Sequence, residues 1–141
     1  MKTPWHLWVI GVVTLLWNAV GAFDYVMTQT GNADYMAQFT PEQVAYFAGF
    51  PTWVNSSWAI AVWFAVAGSF LLLLRHRVAA PVLGLSLIAM IVTATHNFVM
   101  GDVQMQDVVG QGAIYFTIVL FAIALLLWVY SLKMRSNGVL R

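Results

Sequence analysis

Residues 54–100 read VNSSWAIAVWFAVAGSFLLLLRHRVAAPVLGLSLIAMIVTATHNFVM. Two apolar runs, Val54–Leu74 and Ala79–Met100, flank one tight basic turn, Arg75-His76-Arg77. Each run matches the roughly 20 apolar residues that an α-helix needs to cross a hydrocarbon core. Neither run has the polar stripe of a helix lying on a water-soluble domain. Pro81 falls in the first turn of the second run, where proline is tolerated. The stretch therefore predicts a transmembrane helical hairpin.

Working outward, two more runs of this kind appear, Trp5–Met27 and Gly110–Leu132. Only 8% of the 141 residues are charged and 62% are hydrophobic, whereas a soluble domain carries about 25% charged residues. Such a chain cannot cover its apolar surface with polar side chains, so lipid is its solvent. The expected fold is all-α: one integral membrane domain over 1–141, an antiparallel bundle of four transmembrane helices. The chain has no cysteine, which excludes thiol–disulfide chemistry, thiolate metal sites and the thiol-based quinone reductases.

The charges partition completely. Lys2, Arg75, Arg77, Lys133, Arg135 and Arg141 fall on one side of the expected spans; Asp24, Asp34, Glu42, Asp102 and Asp107 fall on the other. Basic residues in short loops mark the cytoplasmic side, so both termini are expected inside. Trp5, Trp8, Trp53, Trp58 and Trp128 lie near span ends, as interfacial tryptophans do. Met1-Lys2, the first apolar run and Ala19-Val20-Gly21-Ala22 also resemble a cleavable signal peptide. Trp17 and Asn18 sit awkwardly in such a segment, which favours a retained helix.

The first outer loop has structure of its own. Thr40-Pro41-Glu42-Gln43 combines an N-cap, a proline at the first helical position and a capping-box partner. Phe39 and Val44 are placed for a hydrophobic staple, and Gly49 can end the element. A short helix over 41–48 is expected, lying on the outer membrane surface or folded over the mouth of the bundle. Within the second span, Ser57, Ala61, Ala65 and Ser69 recur every fourth residue with Gly68 beside them. Such a stripe lets helix backbones approach closely in lipid, and an intramolecular packing face is expected.

Polar groups inside a bilayer are costly, so each is a candidate for function. The first span holds Asn18, Asp24 and Tyr25; the third holds Thr93, His96 and Asn97; the fourth begins with Gln111 and Tyr115. At about 1.5 Å rise per residue, most of these fall in the outer half. The candidate ligand-binding residues are thus Asn18, Asp24, Tyr25, His96, Asn97, Gln111 and Tyr115, around an outward-facing polar pocket. An Asp24–His96 pair is the sharpest expectation, either as part of that pocket or as a tie between two helices. A zinc site on Asp24, Glu42 and His96 lacks any two-histidine spacing, and haem lacks suitable axial ligands. No cofactor is expected. Neither a phosphate loop, a nucleophile constellation nor a basic nucleic-acid patch is present in the sequence.

Several segments carry a resemblance: Trp17-Asn18-Ala19-Val20-Gly21-Ala22-Phe23-Asp24-Tyr25, Met27-Thr28-Gln29-Thr30, Tyr35-Met36, Phe39-Thr40-Pro41-Glu42-Gln43, Phe50-Pro51-Thr52-Trp53 and His96-Asn97-Phe98. Together they resemble a family of small bacterial four-helix membrane proteins labelled "sugar transporter". The resemblance spans nearly the whole chain. It implies a bacterial cytoplasmic membrane and carries no catalytic residues over.

Three functions fit. The first is a non-enzymatic accessory or ligand-binding component, partnered by the bilayer, a small polar ligand, and a homo-oligomer or larger membrane complex. The second is a homo-oligomeric transporter of a small polar solute such as a sugar. It finds no support in the apolar inner half or in any broken helix. The third is an enzyme on lipid or quinone using Asp24 and His96 as acid and base.

Overall fold

A computed structural model describes residues 3–101 and 103–141, so the charges expected at Lys2 and Asp102 lie outside the described residues. The described residues form seven α-helices and one π-helical turn: α1 (Trp5–Thr30), α2 (Ala33–Met36), α3 (Pro41–Ala48), α4 (Thr52–Leu73), α5 (Ala79–Thr95) with the π turn His96–Met100, α6 (Met105–Val109) and α7 (Gly112–Ser136). Four of them are long and apolar enough to cross a membrane: α1, α4, α5 with its π turn, and α7. The described residues contain no strand.

The ends of the helices follow from local chemistry. α1 runs three residues past the expected Met27. Gly31, at φ 64, then reverses the chain, and the amides of Gly31 and Asn32 close onto the carbonyls of Thr28 and Met27. Glycine suits that left-handed position because it has no Cβ to clash. α4 ends through the same kind of closure, with the His76 amide bonded to the Leu71 carbonyl at 2.9 Å. Here the left-handed residue is Arg75, at φ 57. The fourth long helix starts at Gly112 rather than Gly110 and runs on to Ser136, past the expected Leu132.

The capping box on α3 forms as its sequence dictates. The Gln43 amide donates to Thr40 Oγ1 and the Thr40 amide donates to Gln43 Oε1, each at 3.2 Å. α2 and α6 were not expected. α2 is one turn capped by Asn32, whose side chain accepts from the Tyr35 amide at 3.0 Å.

Packing runs from α1 to α4, from α4 to α5, and from α5 to α7. Among the described residues α1 and α7 barely meet; the His6–Tyr130 pair links them by a hydrogen bond and an edge-to-face ring packing at 5.6 Å. The small-residue stripe on α4 is an intramolecular face. The Ala65 carbonyl and Ser69 accept from Asn18 of α1, while the Ala61 carbonyl accepts from Ser86 of α5 at 2.6 Å. Gly68 sits where a Cβ would overlap the Leu83 side chain.

The two ends of the molecule differ. At the basic end Leu7, Leu72, Ala79, Leu83, Leu127 and Met134 form a closed core, completed by Val139 and Leu140. Arg141 clasps the α4–α5 turn: its amide donates to the Arg75 carbonyl at 2.9 Å and its carbonyl accepts from the Arg77 amide at 3.2 Å. The acidic end carries α2, α3 and α6 and is hollow.

Candidate functional site

The hollow is a cavity of about 550 Å³ reached by all four long helices. α1 contributes Asp24 and Thr28; α4 contributes Trp58, Ala61 and Val62; α5 and its π turn contribute Thr93 and Asn97; α7 contributes Gly112, Phe116 and Thr117. Asp24 and Thr28 share a face of α1 because residues four apart stack on a helix. A sequence expectation of a polar pocket meets a different lining: the walls are predominantly apolar, and among the described residues Asp24 is the only formally charged side chain lining them.

A chain of edge-to-face rings roofs the cavity. Tyr35 packs on Phe39 at 5.8 Å, Phe39 on Phe47 at 5.9 Å, Phe47 on Phe50 at 5.9 Å, and Phe50 on Trp58 at 6.1 Å. Such contacts favour positive ring edges against negative ring faces. α3 carries the middle of this chain, and two hydrogen bonds hold it down. Gln43 Nε2 donates to the Val108 carbonyl at 3.3 Å, and the Tyr46 hydroxyl donates to the Asn97 carbonyl at 3.4 Å. α3 therefore folds over the mouth, one of the two placements its sequence allowed. Its anchor on Asn97 lies in the π turn, where the helix widens and the Gly101 amide reaches back to the His96 carbonyl. Single π turns of this kind recur at functional sites.

The expected Asp24–His96 pair does not form. The Tyr35 hydroxyl donates to Asp24 Oδ1 instead. His96 Nδ1 lies 3.2 Å from Asn97 Oδ1, and its ring is wedged edge-to-face between Phe50 at 5.6 Å and Trp53 at 5.5 Å. His96 lines a separate cavity of about 480 Å³ with Tyr46, Trp53 and Met100, on the far side of Phe50. The physical reason is the reversal at Gly31, which swings Tyr35 back against α1, while the wide turn rotates His96 away from it. The zinc set fails with the pair: no three His, Asp or Glu side chains gather among the described residues.

The other candidates divide. Asn97 lines the large cavity beside Asp24. Asn18 does not; its amide is spent on Ser69 Oγ at 2.8 Å and the Ala65 carbonyl at 3.2 Å, which ties α1 to α4. Tyr25 packs edge-to-face on Trp58 at 5.0 Å, behind the cavity wall. Gln111 is exposed at the start of α7, and Tyr115 points outward at 68% exposure. Neither reaches the cavity, because its wall on α7 is made by Gly112, Ala113 and Phe116. Thr28, Phe98 and Phe116 were not expected at the site: a threonine and phenylalanines in apolar spans look like ordinary lipid-facing residues, whereas the outer-loop aromatics Phe47 and Phe50 were expected to turn away from water.

Burial acts on the two roof tyrosines. It pushes the Tyr35 hydroxyl from its ordinary 10.0 up to about 12, with the Asp24 carboxylate raising it further through the hydrogen bond and its charge. Burial alone pushes Tyr46 to about 12. Both hydroxyls are thus held as donors across the physiological range.

Comparison of the chain with protein families, curated proteins and solved structures finds no match in any of the three.

Proposed function

We propose that the chain is a multi-pass membrane protein that binds a small ligand, without catalysis, in the cavity at its acidic end. The observation carrying this reading is the roofed cavity itself. Its volume of about 550 Å³ falls within the roughly 300–1,000 Å³ typical of small-molecule sites. A few polar groups interrupt apolar walls, as in such sites. The basic end faces the cytoplasm by the charge rule, so the mouth opens to the opposite side. The resemblance noted above implies a bacterial inner membrane as the setting, and a homo-oligomer or a larger membrane complex is proposed as the assembly.

A transporter needs a continuous path between the two ends. The Leu7, Leu72 and Leu127 cluster fills the basic end, which favours binding over passage in this conformation.

The test is native mass spectrometry of the protein released from nanodiscs, in wild type and in Ala61→Trp. Ala61 lines the cavity, and the added indole fills it. A retained mass in wild type, absent from Ala61→Trp, is the expected result. An identical spectrum for the two variants, with no retained molecule and no change in stability with added ligand extracts, overturns the reading.

A further inference from the structure

We infer that the cavity takes a lipophilic cation: an apolar, ring-bearing body with one protonated amine seated on Asp24. The inference rests on the ligand-binding reading above and names its ligand class.

Charge comes first. Asp24 is lodged in a largely apolar wall, and among the described residues no basic side chain lines that cavity. The described arginines and lysines all lie at the opposite end, on the α4–α5 turn, the last turn of α7 and the final residue. A carboxylate in apolar surroundings is costly unless it is paired. Oδ1 accepts from Tyr35, while Oδ2 has no hydrogen-bond partner among the described residues. No described side chain supplies a counter-charge at this carboxylate, and a bound cation would.

The walls select for the same sign. Six rings line the cavity: Phe39, Phe47, Phe50, Trp58, Phe98 and Phe116. The faces of aromatic rings attract ammonium groups and repel anions. A sugar is poorly served. Thr93 is occupied by Ser57 Oγ at 2.7 Å and the Ala89 carbonyl at 2.9 Å, and Thr117 donates to the Ala113 carbonyl at 2.8 Å. Most hydroxyls of a polyol would lose water without gaining a partner, and each unpaired group disfavours binding. An amine with an apolar body needs one strong partner, and Asp24 supplies it.

Access fits a molecule that dissolves in the bilayer. Phe116 lines the cavity yet is 58% exposed on the outer surface of α7. The described residues of α1 and α7, two of the helices that line the cavity, barely meet, which leaves a seam between them. A lipophilic amine reaches Asp24 through that seam without lifting the α3 roof.

Three probes of one shape and different charge test this: naphthylmethylamine, naphthylmethanol and naphthoate. Binding is measured by equilibrium dialysis against the protein in phosphatidylcholine nanodiscs, with protein-free discs and Ala61→Trp as blanks. The amine is expected to bind about tenfold or more tighter than the alcohol, and the anion not at all. Asp24→Asn should bring the amine down to the alcohol, and Asp24→Glu should keep the preference. If Asp24→Asn does not fold, the wild-type ranking and Asp24→Glu decide. Equal binding of amine and alcohol to wild type overturns the cation inference while leaving the binding reading intact. Wild-type binding of all three probes at the level of the blanks overturns both. Phosphatidylethanolamine added to the discs separates two sources of the amine. Competition assigns the headgroup of an aminolipid; no competition assigns a free amine.

Discussion

Tyr35 and Tyr46 link the roof of the cavity to the helices beneath it, and each holds its proton more tightly in the fold than in the unfolded chain. For a group whose folded value is raised, the contribution to stability is complete below pH 10 and is lost as pH rises to about 12. Alkaline unfolding followed by tryptophan fluorescence should therefore show stability falling across that window. Tyr35→Phe and Tyr46→Phe should each flatten the fall. Deeper in, Asn18→Ala removes two interhelical hydrogen bonds to Ser69 and Ala65. Bonds of this kind between membrane helices are worth about 0.6 kcal/mol each and at most about 1.7. A loss of about 1 kcal/mol is expected in detergent unfolding, and a cycle with Ser69→Ala should be non-additive. Asp24 and Asn97 were legible in the sequence, since polar residues stand out in an apolar run. The partner of Asp24 was not legible, because Tyr35 reaches it only after a chain reversal that carries no periodic signal.

Among the elements, α3 and α4 show local and long-range determination side by side. The capping box on α3 is written in four consecutive residues, so its start was readable without the fold. Thr40→Ala should weaken that start by about 1 kcal/mol, seen as faster hydrogen exchange at the Gln43 and Val44 amides. The π turn and α6 were not readable. Both depend on contacts made from other segments, the turn through Tyr46 and α6 through Gln43. On α4, the small-residue stripe predicted close packing, and its outcome depends on which residue faces each position. Gly68→Ala meets the buried Leu83 side chain and should cost about 1–3 kcal/mol by overpacking. Gly112→Ala meets nothing within 4 Å and should be neutral or mildly stabilising, since alanine favours helix. Thermal unfolding of the two variants checks the contrast.

Across the whole molecule, packing is uneven. The basic end holds the closed core and the acidic end holds the cavity. Composition and span length announced four long apolar helices. They could not announce the order of packing, the open seam between α1 and α7, or the apolar character of the pocket, because these arise from helix rotations that nearly featureless apolar faces do not encode. Leu140→Ala, at a position 4% exposed, should cost about 2–5 kcal/mol in denaturation, although the residue lies far from the cavity. The clasp of Arg141 on Arg75 and Arg77 also bears on biogenesis. The α4–α5 turn is synthesised well before its backbone partner, and domains form as the chain emerges. This latch therefore closes only after α7 has been synthesised, which leaves the α4–α5 hairpin a period in which it can pair while its basic turn is still unfastened.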